Sequence, residues 1–198
     1  IIETILDLLF PRRCPVCGQI IMPKGNLICP GCIRKLSWVR GPVCKCCGKE
    51  IISETAEYCS DCEIHPRYFS NGMALLNYNE ISAPSLAKIK YKNHREYLDF
   101  YAEAAYRKYA ARIARLSPDL IIPVPVHKSR MKKRGFNQAE EFGKRLSHYL
   151  EIPMNSSLLI RSKKTVPQKD LGPALRLKNL EQAFSCRKLP YRMKKVLL

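Results

Sequence analysis

The sequence predicts an α/β domain built on a parallel sheet, preceded by a small module whose fold depends on bound metal. Nine of the ten cysteines lie in residues 1–70. Residues 71–198 instead alternate short apolar segments with helical periods, which is typical of parallel α/β domains. A chain of 198 residues accommodates one or two domains. We therefore predict two domains, residues 1–70 and residues 71–198.

The first ten residues predict a short amphipathic helix. Their apolar positions recur at the spacing of one helical face, at Ile2, Ile5, Leu6 and Leu9. Acidic residues interrupt the run, and it has neither a basic n-region nor a cleavage site, so we do not interpret it as an export signal. Because the first residue is Ile, we expect the natural start to lie upstream. No apolar run approaches the roughly 20 residues that cross a bilayer, and we expect no membrane insertion and a cytoplasmic location.

The cysteines of residues 1–70 form four C-x-x-C pairs in two consecutive repeats. The pairs are Cys14 and Cys17, Cys29 and Cys32, Cys44 and Cys47, and Cys59 and Cys62. In each repeat a glycine follows the first pair, and 11 residues separate the two pairs. A short turn brings both thiolates of a pair to one metal ion, and four thiolates complete a tetrahedron around Zn²⁺. The sequence predicts two zinc sites with these eight ligands, held by small β-hairpins that fold when loaded.

Other assignments of the cysteines are weaker. Disulfides of a secreted domain are the alternative to zinc, but the missing export signal argues against an oxidising compartment. Cys46 or His65 could replace one ligand, although only Cys47 has both the spacing and the following glycine. Cys186 lies far from the pairs, and we expect a buried or partly buried thiol.

The net charge of +18 belongs mainly to the second segment. Residues 1–70 carry nine Lys/Arg and seven Asp/Glu, whereas residues 71–198 carry 26 and 10. Two tetrathiolate zinc sites would take the first segment from +2 to about −2. The second segment, at +16, is therefore the expected contact for a polyanion.

The first elements after residue 70 follow from apolar pattern and capping residues. GMALLNY at 72–78 predicts a strand. Ser82 predicts the cap of a helix with Pro84 in its first turn and Ile89 farther along. A long helix is predicted from His94 to Arg115, and its expected core positions are Leu98, Tyr101, Ala105 and Tyr109.

The remaining elements alternate between strand and helix. DLIIPVPV at 119–126 predicts a buried parallel strand. After it we expect a helix from Phe136 to about Leu150, a strand from Leu158 to Arg161, a helix from about Pro173 to Phe184, and a strand that begins at Val196. Because open α/β sheets bind ligands at the carboxyl ends of their strands, we expect a functional loop beyond this last strand, outside the sequence.

Two polar segments are candidate ligand sites. HKSRMKKRGFNQ at 127–138 follows the buried strand and precedes a helix, where arginines and a helix N-terminus could meet one phosphate. The alternative is a solvated basic loop. The second segment, 161–180, carries Arg176 and Asn179 three residues apart on a predicted helix. Its composition alone favours a mobile surface loop with a helix cap.

Several motifs together resemble the ComF family of competence-associated phosphoribosyltransferase-like proteins. They are KIKYKNHREYL at 88–98, IPVPVHKSRMKK before RGFNQAE at 134–140, TVPQ at 165–168, RLKNLEQAF at 176–184, and the double cysteine repeat. The resemblance covers nearly the whole chain. It implies a type I phosphoribosyltransferase-like parallel sheet, incomplete at its C-terminal end, behind a double zinc ribbon. The family's next motif, an acidic pair and a Thr/Gly-rich phosphate loop, would follow the last strand.

The resemblance also implies ligands and residue roles. Lys128, Arg130 and Arg134 would face the pyrophosphate of phosphoribosyl pyrophosphate, and Asn137 and Gln138 would fix the loop or the ligand. A flexible loop closing over the site would be shaped by Thr165, Gln168, Arg176 and Asn179. Weaker candidates are Lys90 and Tyr91, of which Tyr91 could simply belong to the core. Mg²⁺ would bind between the phosphates and the ribose hydroxyls.

Three functions are compatible with these features. The first is an accessory protein of DNA uptake that binds single-stranded DNA, with tyrosines and Phe136 stacking on bases, and also binds phosphoribosyl pyrophosphate. The second is a phosphoribosyltransferase that acts on a nucleobase or a related small acceptor, although no general base is evident. The third is a zinc-dependent adaptor for a competence helicase or another DNA-uptake protein.

Overall fold

A computed structural model describes residues 10–65, 67–163, 165, 171–180, 183–188 and 194–198. The chain divides into two compact units, residues 1–100 and residues 101–198. The predicted boundary at residue 70 separates the cysteine-rich segment from the basic segment in the sequence. In the structure, however, residues 71–100 pack within the unit that holds the cysteines. The helix predicted for residues 1–10 lies outside the described residues, apart from Phe10.

The first unit is built from two copies of one backbone pattern. In the first copy Gly18 donates to the Cys14 carbonyl at 2.9 Å, and Cys14 donates to Gln19 at 2.8 Å. In the second copy Gly48 donates to Cys44 at 2.9 Å and Cys44 to Lys49 at 2.8 Å. Each turn carries a single antiparallel bridge, Arg13 to Ile20 and Val43 to Glu50. The internal repeat read from the cysteine spacing is therefore also a repeat of backbone hydrogen bonds.

The second cysteine pair of each repeat lies at the start of a short helix. Helix α1 spans Pro30–Lys35 and is preceded by Cys29, and helix α2 spans Ser60–Ile64 and is preceded by Cys59. Only the first pair of each repeat therefore lies on a hairpin turn, whereas hairpins were predicted throughout. A helical turn can also direct both cysteines of a pair to one metal ion, because residues three apart share one face of a helix.

The segment 72–78 is not the predicted strand. It makes one antiparallel bridge, between Leu76 and Trp38, with hydrogen bonds from Val39 to Leu75 at 3.3 Å and from Asn77 to Ser37 at 2.8 Å. Its partner is thus the connection between the two repeats, within the first unit. The apolar run packs over this connection. The local sequence pattern does not show which part of the chain the run covers.

Helix α3, Ser82–Lys92, begins as predicted but is capped differently. Asn79 Oδ1 accepts from the backbone N–H groups of Ile81 at 3.1 Å and Ser82 at 3.0 Å. The hydroxyl of the buried Ser82 instead donates to the Asn77 carbonyl at 3.0 Å. Asn79 therefore accepts the capping hydrogen bonds that were expected for Ser82. The Ser82 side chain instead bonds the helix to the preceding segment.

The next helix, α4, spans Tyr97–Leu116, so it starts three residues later than predicted. In the first unit, its N-terminal residues Tyr97, Leu98 and Phe100 are buried. The Asp99 carboxylate pairs with Arg12 at 2.7 Å, and the Phe100 ring lies 6.3 Å from the Trp38 ring in an edge-on arrangement. The first turn of α4 is therefore packed against the first cysteine repeat.

The second unit is centred on strand β1, Leu120–Ile121, which has parallel neighbours on both sides. It pairs with β4, Val196–Leu197, with Leu120 opposite Val196, and Ile121 forms a parallel bridge to Met154. Ile121 packs with Ala102 and Leu146, and the alternate residues Leu120 and Ile122 pack with Leu158. Both faces of β1 are buried, as expected for a central parallel strand.

The regular part of β1 is shorter than the apolar run 119–126, because prolines at 123 and 125 cannot donate to a ladder. Before the strand, Asp119 Oδ2 accepts from Lys194 N at 2.8 Å and Lys195 N at 3.0 Å. These backbone bonds lower the pKa of Asp119. The carboxylate thus helps to hold β4 in register while ionised, and this contribution disappears as the pH falls through that lowered pKa.

Helices α5, Lys128–Arg134, and α6, Gln138–Leu150, follow β1. Strand β2, Leu159–Arg161, then pairs antiparallel with β3, Phe184–Cys186, and helix α7, Pro173–Leu180, lies between them in sequence. The helix predicted to run to Phe184 is wrong in its last residues, since Phe184 belongs to β3. Cys186 is exposed, so the expected burial is also wrong.

The second unit therefore has a mixed helix and strand fold with a small parallel sheet. This agrees with the predicted α/β class, without identifying a particular family of folds. Among the described residues, none of the helices is both long and apolar enough for a membrane span.

Gly48 and Gly18 occupy the same position in the two repeats and have positive φ angles of 72° and 77°. A Cβ on Gly48 would lie 2.5 Å from the Gly72 carbonyl oxygen, whereas a Cβ on Gly18 would come no closer than 3.7 Å to Lys88 Nζ. Gly18→Ala should cost about 1–2 kcal/mol of stability from the left-handed backbone, and Gly48→Ala about 1–3 kcal/mol more from overpacking. Denaturant unfolding of the zinc-loaded chain, followed by Trp38 fluorescence, measures both. Equal losses would contradict the close approach of residue 72.

Candidate metal centres and a candidate anion site

The eight paired cysteines form two separate sulfur tetrads. Within each tetrad the four Sγ atoms lie within 4.8 Å of one another. Cys17 and Cys29 are 3.9 Å apart, and Cys47 and Cys59 are 3.7 Å apart. A tetrahedral zinc site with Zn–S bonds of about 2.3 Å has sulfur–sulfur edges of about 3.8 Å. The tetrads comprise Cys14, Cys17, Cys29 and Cys32, and Cys44, Cys47, Cys59 and Cys62.

The first cysteine of each tetrad has a lowered pKa. Burial raises the pKa of Cys14, but backbone N–H groups, led by that of Cys29, outweigh it and lower the pKa to about 7. The same balance, led by the Cys47 N–H, lowers the pKa of Cys44 to about 6. Backbone donors at these positions therefore favour thiolates where metal ligands are required.

Three other cysteines of the tetrads have raised pKa values. Burial, followed by the neighbouring thiols, raises the pKa of Cys29 to about 12 and that of Cys32 to about 11. Burial likewise raises the pKa of Cys47 to about 12. Four negative sulfurs at this separation require a cation between them. Four convergent thiols suit Zn²⁺, which would cross-link the two halves of each repeat and contribute directly to folding.

Cys46 and His65 lie outside the tetrads. Cys46 is half-buried and is not among the four converging sulfurs of its repeat. His65 Nδ1 lies 3.1 Å from Asp61 Oδ1. Arg67 also donates to Asp61, and a hydrogen bond to the Cys62 sulfur is the main cause that raises the pKa of Arg67. Arg67 thus contacts the ligand Cys62 of the second tetrad, and its positive charge offsets part of the negative charge of that site.

The two repeats differ in charge although they share one backbone pattern. Residues 10–40 carry six Lys/Arg and no acidic residue, whereas residues 41–65 carry two Lys and five Asp/Glu. With Zn²⁺ in each tetrad, the formal balance becomes about +4 for the first and about −5 for the second. The two ribbons therefore present opposite fields to a charged partner.

The basic segment after β1 is a short helix rather than a loop. Helix α5 is capped by His127, whose Nδ1 accepts from Ser129 N at 3.2 Å, and it ends at Gly135 with φ 81°. Arg130 and Arg134, four residues apart, are both half-buried, whereas Lys128, Lys132 and Lys133 are exposed. The helix therefore separates one inward arginine face from an exposed lysine face.

Asn137 and Gln138 connect α5 to α6. Asn137 is 5% exposed. Its Oδ1 accepts from Ala139 N at 3.1 Å, and its Nδ2 donates to the Val124 carbonyl at 3.0 Å. Arg134 donates to Gln138 Oε1. In the structure Asn137 thus caps α6 and fixes it to the end of the central strand. Phe136 is buried, so the expected stacking of this ring on bases is wrong.

The second polar segment is described only in part. Thr165 is half-buried and accepts a hydrogen bond from Arg161. Asn179 is half-buried on α7. Arg176 belongs to the same helix, but its side chain lies outside the described residues, as does Gln168. Of the weaker candidates, Lys90 is exposed and Tyr91 is 68% exposed, so a core role for Tyr91 is wrong.

In the sequence pattern Arg161 is only the last residue of a predicted strand. Its Nε is buried without a hydrogen-bond partner. Its guanidinium lies over the Phe184 ring at 5.3 Å. Burial, followed by the charge of Arg130, lowers the pKa of Arg161. A sequence signal did exist, an arginine at the end of an apolar strand directly before the polar segment, but its partner Phe184 is 23 residues away and could not be inferred.

Comparisons with known proteins agree with these features. A model of the double zinc ribbon domain matches residues 5–63. Competence protein F of Haemophilus influenzae is 30% identical over 190 residues, which cover 92% of this chain and 82% of the relative. Competence protein ComFC of Bacillus subtilis is 25% identical over 157 residues, covering 73% of this chain and 63% of the relative.

A third relative, DNA utilization protein YhgH of Escherichia coli K12, is 27% identical over 129 residues, which cover 64% of this chain and 57% of the relative. No solved structure gives a significant match. The comparisons therefore identify relatives named for competence and for DNA utilization, and the fold of the second unit is described from its own structure alone.

The neighbouring cysteines of the second repeat provide a test of the tetrads. Cys47→Ser removes a ligand and should reduce the zinc content from two ions to about one per chain, because a structural site requires four ligands. Cys46→Ser changes the adjacent residue in the same way and should retain both ions. Zinc released by acid denaturation, divided by protein concentration, measures the content. Loss of zinc in Cys46→Ser with retention in Cys47→Ser would reverse the assignment.

Proposed function

This chain belongs to the ComF family of competence proteins, and from that premise we propose that it assists the uptake of transforming DNA by binding single-stranded DNA and phosphoribosyl pyrophosphate. The names of the relatives, Competence protein F, Competence protein ComFC and DNA utilization protein YhgH, support a role in DNA uptake. The names of the relatives do not specify the two ligands, which we infer from the geometry and the charge of the second unit.

The observation that carries the proposal is the placement of helix α5. It begins seven residues after the end of the central strand β1, and the helix that follows it, α6, is held to the segment just beyond that strand by the hydrogen bond from its N-cap Asn137 to the Val124 carbonyl. Ligands of open α/β sheets bind beyond the carboxyl ends of strands. The half-buried Arg130 and Arg134 favour a small phosphorylated ligand, and the exposed lysines Lys128, Lys132 and Lys133 favour an extended polyanion.

The ligand proposed for the arginine face is phosphoribosyl pyrophosphate on a type I phosphoribosyltransferase-like sheet. A central strand with parallel neighbours on both sides, buried on both faces, supports that fold. Arg130 and Arg134 would bind the pyrophosphate, and Asn137 and Gln138 would hold the segment in place. Mg²⁺ would accompany the ligand, and Thr165, Gln168, Arg176 and Asn179 would belong to the covering loop.

For single-stranded DNA, the charge of residues 71–198 supplies the attraction, with 26 Lys/Arg against 10 Asp/Glu. Exposed aromatic rings could supply stacking. In place of the buried Phe136, the exposed rings include Tyr68, Tyr78 and Tyr91, at 100%, 77% and 68%. Only the first zinc ribbon is basic, so we assign nucleic-acid contact to it and protein contact, with a helicase or another uptake protein, to the acidic second ribbon. A cytoplasmic location suits eight cysteines that must stay reduced to bind zinc.

An enzymatic function is the second candidate, supported by the same arginine face. Loss of pyrophosphate from an oxocarbenium-like centre would be favoured by cations on the leaving group, and the acceptor would be a nucleobase or a related small molecule. Among the described residues of the second unit, we identify no side chain placed as a general base. We therefore rank catalysis below binding.

The exposed lysines of α5 provide a test of DNA binding. Lys132→Gln with Lys133→Gln should weaken binding of a fluorescent oligonucleotide. It should also reduce the slope of log K against log salt by about 1.4, since each single-strand phosphate contact contributes about 0.7. Fluorescence anisotropy titrations at four salt concentrations measure both quantities. The matched control is Lys45→Gln with Lys49→Gln on the acidic ribbon, which should leave the slope unchanged. Equal slopes in all three proteins would refute contact through α5.

The choice between binding and transfer depends on what happens to phosphoribosyl pyrophosphate. We expect calorimetric binding in the presence of Mg²⁺, weakened about 10- to 100-fold by Arg134→Gln because a charge-assisted bond is lost. We expect no pyrophosphate release with single nucleobases. Pyrophosphate release that depends on one acceptor would establish the enzymatic alternative, and undetectable binding would remove both.

A further inference from the structure

Equivalent positions of the two zinc ribbons lie 30 residues apart, as Cys14 and Cys44 do. The first ribbon comprises residues 10–40 and the second ribbon residues 41–65. The hydrogen bonds of the two glycine turns correspond to each other at this offset, and so do the two antiparallel bridges. A residue of one ribbon therefore has a structural counterpart in the other.

The exposed side chains on this shared framework differ in charge. Lys24 is exposed in the first ribbon, and its counterpart Glu54 is exposed in the second. Over the whole ribbons the contrast is six Lys/Arg and no acidic residue against two Lys and five Asp/Glu. Lys88 adds to the cations of the first ribbon, since its Nζ would lie 3.7 Å from a Cβ on Gly18. The same framework thus presents one cationic and one anionic surface.

Within the chain the two surfaces do not pair with each other. Among the described residues, no ion pair joins the first ribbon to the second. The pairs that involve ribbon residues are Arg12 with Asp99, Lys45 with Glu57, and Asp61 with His65 and Arg67. The charges of Lys24, Lys35, Glu54 and Glu63 are therefore left for a contact outside the chain.

Each ribbon also exposes apolar side chains. Met22 and Ile52 are counterparts, each two residues before the charge described above, and they are 63% and 104% exposed. The other large exposed apolar side chains of the ribbons are Phe10, Ile20 and Ile33 in the first, and Tyr58 and Ile64 in the second. Apolar side chains with a polar rim are typical of surfaces that bind another protein.

We propose that the first ribbon of one copy of this chain binds the second ribbon of another copy, in a dimer in which this contact occurs twice. The cationic surface then faces the anionic one, and Met22 and Ile52 supply apolar contact. A two-fold axis matches both ribbons of both copies at once, because each contact is returned by the partner. This dimer goes beyond the proposed function, since it requires neither DNA nor phosphoribosyl pyrophosphate.

The overall positive charge of the chain does not prevent this contact. Fields of exposed charges are screened beyond about 8 Å at physiological ionic strength, so the surfaces that touch determine the attraction. With Zn²⁺ bound, these surfaces carry about +4 and about −5, which are nearly equal and opposite. A contact between the second ribbon and the basic second unit of another copy would instead leave the first ribbon without a match.

The test is sedimentation velocity of the zinc-loaded chain in the absence of DNA and phosphoribosyl pyrophosphate. We expect the sedimentation coefficient to rise from that of a monomer towards that of a dimer as the concentration is raised through the micromolar range. The rise should become smaller as salt is added, because the opposite charges are screened. A chain that stays monomeric at every concentration and salt level would overturn the inference.

Charge reversal on one ribbon at a time identifies the surfaces. Lys24→Glu with Lys35→Glu on the first ribbon should weaken self-association at least about 10-fold, because like charges then face each other. Glu54→Lys with Glu63→Lys on the second ribbon should have the same effect. An equimolar mixture of the two variants should associate again, because the unchanged acidic ribbon of one meets the unchanged basic ribbon of the other. All four side chains are exposed.

The matched control is Arg187→Glu with Lys188→Glu, which makes the same charge change on exposed residues of the second unit. It should associate like the unchanged chain. Ile52→Ser should weaken association without changing its salt dependence, since no charge is altered. Every variant should retain two zinc ions per chain, because none of these side chains belongs to a tetrad.

Two further outcomes would contradict the dimer. Self-association of the first-ribbon variant by itself would place the acidic ribbon on some other basic surface, and a mixture that fails to associate would show that the ribbons do not meet. The proposed function is judged separately. A monomeric chain that binds single-stranded DNA refutes the dimer and leaves the function standing, whereas a dimer that binds no DNA does the opposite.

Discussion

The convergence of four cysteine sulfurs at each of two points is the constraint on which the first unit depends. In each repeat a hairpin turn and the start of a short helix meet at these sulfurs, which lie within 4.8 Å of one another. Thiolates at this separation repel one another strongly, and a divalent cation converts the repulsion into a cross-link. The buried residues beside the first repeat, including Ile21, Tyr97 and Phe100, then cover a scaffold that the metal holds together.

In the second unit the corresponding constraint is strand β1. It is buried on both faces and has a parallel neighbour on each side. Its amino end is tied to β4 through Asp119, and its carboxyl end is tied to α6 through Asn137. In both places a short polar side chain forms hydrogen bonds to backbone groups. The cationic helix α5, which lies between β1 and α6 in the chain, therefore follows a well-defined strand end. A precise position for Arg130 and Arg134 follows from this arrangement.

Charge divides the molecule in a different way from packing. The two zinc ribbons share backbone geometry but have opposite net charge, and α5 separates its cations into an inward arginine face and an exposed lysine face. Arginine suits a fixed oxyanion because its donors form a rigid fork, whereas lysine suits a mobile polyanion because it acts as a flexible point charge. The chain therefore has two kinds of cationic surface, one formed by arginines and one by lysines.

Features that depend on short sequence spacing could be predicted from the sequence. These include the eight cysteines of the tetrads, the glycine turns after Cys17 and Cys47, the helix after Asn137 and the strand containing Leu120. Their determinants are local, because ligand pairs, caps and apolar runs lie within a few residues. Only the tertiary structure decided that residues 72–78 cover the connection between ribbons, that β2 pairs with β3, and that the Arg161 guanidinium lies over the Phe184 ring. Those contacts join residues about 20 to 40 positions apart, and such pairings are chosen by packing across the whole unit rather than by local pattern.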